Sequence, residues 1–330
     1  MIIAEIGLSH DGNIDMAHEY IDALCGKGID IIKFQTHIAE AESSEFEKFR
    51  IRFSDKDNTR YDYWRRTAFT YNQWLELKRH CDETGLEFLS TPFSLKAVDL
   101  LESLNVKMYK VGSGDTTNYP LLKKIGSTNK PVIISTGMCS HNEIAKSVKF
   151  IMSFSNKVSL MQCTSSYPTS PNEWGLNVIQ ELKSFFNIPV GFSDHSGSIY
   201  PILAAAALGS DLFEFHVVFD KEQFGPDTSA SITMDQVELL TEGIRQIQGS
   251  INYPVDKNDI KQFKNIRKLF GRSLALNKNK KAGDKINFDD LESKKPSGCG
   301  IPVQQFEKVV GKTLKEKLEK WSFINWENLD

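Results

Sequence analysis

Over the first three quarters of the chain, short runs of β-branched and apolar residues alternate with stretches whose apolar positions recur at helical spacing. Eight such runs stand out: IIAEIG, IIKFQT, EFLSTP, MYKVGS, VIISTG, LMQCTS, VGFSDHS and FEFHVVF. Between them lie amphipathic segments such as NIDMAHEYIDALCGKG, which ends on a glycine stop. Strands that are apolar almost throughout, separated by helices, predict a parallel sheet covered on both faces. Eight units in about 250 residues suit an α/β fold of the (β/α)8 TIM-barrel type. A doubly wound open sheet is the alternative. It usually has fewer strands and a glycine-rich first turn, whereas the first turn here, GLSHDGN, lacks GxGxxG.

The rhythm breaks twice. The connection from about Ile38 to Tyr71 is long for a compact domain, which marks it as functional or mobile, and in a barrel it would lie at the catalytic face. After about Gln248 the alternation stops. Residues 1–250 read as the barrel domain, 251–268 as a polar linker and 269–330 as a small β-rich domain with Gly/Pro turns. So small a unit would bury little core alone, and is expected to lean on the barrel or on a partner chain.

Polar residues gather where a barrel keeps its chemistry, at the C-terminal strand ends. Glu5 lies in the first run and His10 just after it, Lys33 and Gln35 lie toward the end of the second, and Thr91 toward the end of the third. Lys110 and Ser113 lie in the fourth, with Asp115 just after it, and Ser135 lies in the fifth. Ser165 ends the sixth and Tyr167 follows it, Ser193, Asp194 and His195 lie in the seventh, and Glu214 and His216 lie in the eighth. A lysine in a buried strand is costly without an opposite charge. Lys33 and Lys110 each either pair with a carboxylate such as Glu5, or line a phosphate and carboxylate pocket with the hydroxyls of Thr91, Ser113, Ser135 and Ser193. The number of hydroxyls at equivalent strand ends favours the pocket.

His195 and His216 close adjacent strands, about 4.8 Å apart, so both imidazoles can reach one ion. Two histidines with open positions suit Mn, Fe, Co or Zn, the alternative being hydrogen-bonded core histidines. His10 reads as structural or site-lining. The carboxylates Glu5, Asp115, Asp194, Glu214 and Asp227 are the candidates for bases and water-orienting groups. Asp227 stands in a Gly/Pro loop, FGPDTSAS, and reads equally as turn chemistry. Cys139, Cys163, Trp64 and Trp74 read as packing.

Composition narrows the class without naming it. Hydrophobic residues make up 40% and charged ones 25%, and the net charge of -3 gives no electrostatic ground for a nucleic-acid or membrane partner. The basic stretch NKNKKAGDK reads as a solvated turn rather than an anion site. The opening run is interrupted too soon by Glu5 to be a signal peptide, and no apolar run approaches the roughly 18 residues that span a bilayer. Five cysteines without a CxxC pair suggest reduced thiols and a cytoplasmic protein.

In order along the chain, AEIGLSHDGN, IIKFQTH, FLSTPFS, YKVGSGD, IISTGM, QCTSSYPT, GFSDHS, EFHVVFD and GPD resemble the sialic acid synthase family, which includes N-acetylneuraminate, legionaminate and pseudaminate synthases. The tail, with RSLALNKNKKAGDKI, KKPSGCGI and VVGKTL, resembles that family's antifreeze-protein-like (SAF) C-terminal domain. The resemblance implies a TIM barrel followed by an SAF domain, and condensation of phosphoenolpyruvate with an unphosphorylated amino-sugar aldehyde. It implies a divalent metal, typically manganese with magnesium or cobalt as alternatives, on His195 and His216. Phosphoenolpyruvate would be held by Lys33, Gln35, Thr91, Lys110, Ser113, Ser135 and Ser193, with Glu5, Tyr167 and Asp227 in the sugar pocket. It further implies a domain-swapped homodimer in which one chain's C-terminal domain covers the other's barrel mouth.

Three departures from the family pattern bear on the sugar. Asp115 replaces the glutamate of SGE, Lys295 the arginine of RP, and Ser165 a frequent asparagine. Together they point away from plain N-acetylmannosamine. Two readings compete with this one: another phosphoenolpyruvate-dependent synthase making a seven- or eight-carbon keto acid, and a non-catalytic sugar-acid binding protein.

Overall fold

The structure is a computed structural model and describes residues 1–49, 56–154, 157–223 and 225–330. Its chain divides into Met1–Tyr253 and Pro254–Asp330. In the first unit β1 (Ile2–Gly7), β2 (Ile31–Thr36), β3 (Glu87–Pro92) and β4 (Tyr109–Val111) are followed by β5 (Val132–Ser135), β6 (Val158–Cys163), β7 (Val190–Asp194) and β8 (Phe213–Val218). These fall on the eight apolar runs. Helix α1 (Ile14–Leu24) joins β1 to β2. The long connection after β2 carries α2 (Ala39–Glu42) and α3 (Arg60–Thr67) before α4 (Tyr71–Thr84) leads to β3. Of that connection, residues 50–55 lie outside the described residues. Single helices α5 (Leu95–Ser103), α6 (Tyr119–Gly126), α7 (His141–Met152), α8 (Asn177–Phe186) and α9 (Tyr200–Ala207) fill the other crossovers, and α10 (Met234–Asn252) follows β8.

The eight strands are parallel, hydrogen-bonded in the order β3-β2-β1-β8-β7-β6-β5-β4, and β3 lies beside β4, so the sheet is a nearly closed (β/α)8 barrel. A short β9 (Ser231–Thr233) pairs with β8. The helices start where side chains satisfy their free N–H groups: Asn13 accepts from Asp15 and Met16 at α1, and Ser140 with Glu143 forms a reciprocal cap on α7. Their apolar faces pack on the outward-facing strand residues, such as Ala4, Phe34 and Phe88, in one large core.

Strand side chains alternate between faces, so each inward column is read at every second residue. Ile3, Ile31, Leu89, Ile133, Met161 and Leu212 form a separate buried apolar cluster, with Met108 packed on it. Two residues further toward each C-terminal end stand Glu5, Lys33, Thr91, Ser135, Cys163, Glu214 and, after Met108, Lys110. An apolar plug thus fills the lower barrel, and the next layer up is polar. This transition, repeated strand after strand, builds the floor of the site.

The second unit has its own small core around Leu274, Leu276, Ile286, Ile301, Leu314 and Ile324. It carries α11 (Lys264–Phe270), the antiparallel pair β10 (Ser273–Leu276) and β11 (Leu291–Lys294), and a one-turn α12 (Phe306–Val309). Helix α11 falls largely within the stretch read from sequence as linker. In the basic stretch Lys278 and Lys280 reach the buried carboxylate of Asp290, the former at 2.6 Å. No helix among the described residues is long and apolar enough to cross a membrane.

Candidate active site

Two adjoining cavities open at the C-terminal end of the barrel. The inner one, of ≈ 280 Å³, is floored by Glu5, Lys33, Thr91, Lys110, Ser135 and Glu214. Ser113, Ser165, Tyr167, Ser193, His195 and His216 complete its walls. The outer one, of ≈ 400 Å³, is walled largely by the long connection after β2: His37, Glu42, Glu47, Arg60, Tyr63 and Trp64. Gln35, Phe93, Gly114, Tyr167 and Asp227 border both. Asp115 borders only the outer cavity, where Asn118 donates to its carboxylate at 2.8 Å. Lys295 belongs to the second unit, its ammonium 4.9 Å from the Phe270 ring centre.

Pairing places Glu5 beside Lys33 on one side and His216 on the other, and Ser193 beside Glu214. The result is a compact charge quartet. Lys33 Nζ lies 2.7 Å from Glu5 Oε1 and 3.4 Å from Glu214 Oε1, and Lys110 Nζ donates to Glu214 Oε1 at 2.8 Å. Ser193 also donates to that oxygen, at 2.9 Å, while Glu214 Oε2 is buried without a hydrogen-bond partner among the described residues. The sequence posed carboxylate pairing and pocket lining as alternatives for the lysines. The structure joins them, because the paired ammoniums are themselves the pocket floor. Burial by itself would raise both carboxyls. For Glu5, His216, Lys33 and Lys110 outweigh that and hold it well below the usual range; for Glu214, Lys110 and Lys33 do so. Lys33 moves up for the matching reason, Glu214 and Glu5 overcoming its burial.

His195 donates from Nδ1 to the Thr164 carbonyl at 2.8 Å, which leaves Nε2 as the acceptor, 3.2 Å from the Tyr167 hydroxyl. Burial, with the nearby His216, pulls its pKa to about 4, so it is neutral at pH 7. Its ring centre is 5.4 Å from that of His216, whose Nε2 lies 3.2 Å from Glu5 Oε2. A neutral imidazole fixed through its far nitrogen is the form that ligates metals. Among the described residues no group of three or more His, Cys, Asp or Glu side chains is arranged to hold an ion. An ion here would therefore rest on two imidazoles, with oxygen from substrate or water.

Several residues depart from the sequence reading. Cys163, read as packing, lines the inner cavity, its sulfur 3.0 Å from Ser113 Oγ. Trp64, also read as packing, walls the outer cavity and donates to Glu47 at 3.0 Å. His10 is the structural residue its reading allowed, lining neither cavity: it stacks on Phe69 and accepts from the Gly12 N–H at 3.0 Å. Asp194 caps the turn after β7 by accepting from the Ser196 N–H and hydroxyl, and burial pushes it up to about 6. Gly137 was not singled out at all. A Cβ there would stand 2.6 Å from Ser165 Oγ, 2.7 Å from Ser113 Oγ and 2.9 Å from Cys163 Sγ. Only a hydrogen fits between three groups of the inner cavity.

Comparison with known proteins gives this geometry a family. The NeuB family model matches residues 20–255. N,N'-diacetyllegionaminic acid synthase of Campylobacter jejuni is 34% identical, across 98% of this chain and 98% of its own. Human N-acetylneuraminate-9-phosphate synthase is 32% identical, over 100% of this chain and 92% of its own. Among solved structures, the N-acetylneuraminic acid (sialic acid) synthetase of Leptospira borgpetersenii, in complex with citrate, superposes with a TM-score of 0.71 at 27% identity, covering 81% of this chain and 90% of that one. Barrel, polar floor and sequence agree, and the chain belongs to the NeuB family of synthases.

Proposed function

We propose that the inner cavity holds phosphoenolpyruvate, that the outer one holds an unphosphorylated amino-sugar aldehyde, and that the protein joins them into a nonulosonate. C3 of the enol phosphate attacks the aldehyde carbon, whose oxygen becomes a hydroxyl on gaining a proton. Water adds at C2, and phosphate leaves with cleavage of its C–O bond. Lys33 and Lys110 offset the phosphate and carboxylate charge, with hydroxyls from Thr91, Ser113, Ser135 and Ser193. His195 and His216 would hold a divalent metal, manganese in this reading, which when bound supplies Lewis-acid polarisation of the aldehyde oxygen. The Thr164 carbonyl orients His195 through Nδ1, and Glu5 orients His216.

The observation that carries this reading is the convergence of two ammoniums and two imidazoles on one cavity that opens directly into a second. The charge of the outer cavity supports an acceptor without phosphate. Among the described residues its walls include Glu42, Glu47 and Asp115, and Arg60 faces Glu47 at 3.2 Å. Asp115 is raised by burial, with Glu42 adding to the effect. The test is phosphate release from phosphoenolpyruvate with manganese, across mannosamine-type sugars and their 6-phosphates, with the product mass measured. Turnover with free sugars alone is expected; release only with phosphorylated aldehydes overturns the reading.

A further inference from the structure

Beyond the floor of the inner cavity, a chain of side chains runs outward along the barrel mouth. Gln35 Nε2 donates to Glu5 Oε1 at 2.9 Å. Gln35 Oε1 lies 3.2 Å from His37 Nε2, and His37 Nδ1 lies 2.6 Å from Glu42 Oε1. The His37 ring is clamped between Trp64, 3.9 Å away, and Phe93, 4.4 Å away, each within 10° of parallel. It is buried. Two of these groups, Gln35 and Phe93, border both cavities.

The order of donors and acceptors along this chain is forced. Glu5 Oε1 already faces the Lys33 ammonium, which can only donate, at 2.7 Å, so it accepts. The Gln35 amide must therefore turn its NH₂ to Glu5 and its oxygen to His37. An amide oxygen only accepts, so His37 Nε2 must carry a proton. The other nitrogen then faces a carboxylate across a short contact, which also needs a proton between the two atoms.

We propose that His37, held by Glu42 and the Trp64–Phe93 clamp, is a positioning residue for the condensation. It locks the Gln35 amide and, through it, the Glu5 carboxylate that orients His216. Glu42 ends α2, and Trp64 lies on α3. The connection that walls the acceptor cavity is thereby coupled to the groups beneath the enol phosphate. This rests on the function proposed above, but the proton placement stands apart from it.

His37→Phe keeps a flat ring in the clamp while removing both nitrogens, so the fold is retained, as a melting temperature within a few degrees of wild type would show. Expected is a loss of about 10- to 100-fold in kcat, the range for groups that orient ligating residues, with KM for phosphoenolpyruvate little changed. His37→Gln restores an N–H toward Gln35 and recovers part of the loss. In parallel, ¹⁵N-histidine NMR of the wild-type protein at neutral pH, with His37 assigned from the spectrum of His37→Phe, is expected to show Nε2 protonated. Wild-type kcat in His37→Phe, no recovery in His37→Gln, or a bare Nε2 each overturns the proposal. Should the wild type release no phosphate with any sugar, the function reading fails, and the nitrogen spectrum still decides the proton's place.

Discussion

Replacing Glu214 by Gln should make the empty protein less stable and its response to phosphoenolpyruvate larger. The side chain keeps its shape and an oxygen for Lys110 and Ser193, but loses the charge that two ammoniums share. At an effective dielectric near 20, the 2.8 Å contact to Lys110 and the 3.4 Å contact to Lys33 represent about 6 and about 5 kcal/mol of attraction. Desolvation of the carboxylate opposes these, and removing one partner of a buried pair costs about 3–5 kcal/mol net. The retained amide oxygen argues for the lower end, roughly 3 kcal/mol, or a fall in Tm of about 6–12 °C for a domain of this size. The surplus positive charge is what an incoming phosphate and carboxylate would neutralise. Thermal unfolding with and without saturating phosphoenolpyruvate therefore reads both effects at once. E214Q should melt well below wild type when empty and recover more on adding ligand, while turning over more slowly. An empty variant as stable as wild type, or a ligand-induced rise no greater than wild type's, would refute the charge-balance argument.

Gly137→Ala should raise KM for phosphoenolpyruvate at least tenfold while leaving secondary structure intact, because the added methyl displaces Ser113, Ser165 and Cys163 together; steady-state kinetics and circular dichroism decide it. His10 should weaken the fold in acid. Burial lowers its folded pKa to about 3 against 6.5 unfolded, so the unfolded chain takes the proton first, and stability is lost as pH falls from about 6.5 toward 3. The slope amounts to roughly 1.4 kcal/mol per pH unit. His10→Asn, which keeps an acceptor for Gly12, should flatten that part of a urea-unfolding profile; an unchanged slope would show that His10 is not its source.

Most of the barrel was legible because its strands are apolar on both faces, and because each inward column changes from apolar to polar at one level. The pairs Ile31–Lys33, Leu89–Thr91 and Ile133–Ser135 announce this without any structure. The same parity held two signals that went unread. Leu212, Glu214 and His216 share one face of β8, which puts Glu214 among the lysines rather than in a general reserve of carboxylates. Met161 and Cys163 share one face of β6, which puts the thiol in the cavity. Other features had no such signal. Gly137 matters through three side chains from distant segments, and nothing local marks it. Trp64 reads as core because its indole is buried; that it also walls a cavity depends on how the connection after β2 returns over the barrel. Asp115 follows a strand end like its neighbours, but the 3-10 turn at Ser113–Asp115 carries it to the outer cavity.

The excursion between β2 and α4 has an evolutionary consequence. The reaction's charges are handled by residues anchored in hydrogen-bonded strands, where a change in one disturbs its neighbours in the ladder. The wall proposed to meet the second reactant hangs largely on a single stretch of chain, whose described part includes two short helices and whose sequence can drift while the barrel's strands keep their register. If the proposed assignment holds, a lineage could trade one acceptor for another by editing about thirty consecutive residues, and inherit the bond-making apparatus unaltered.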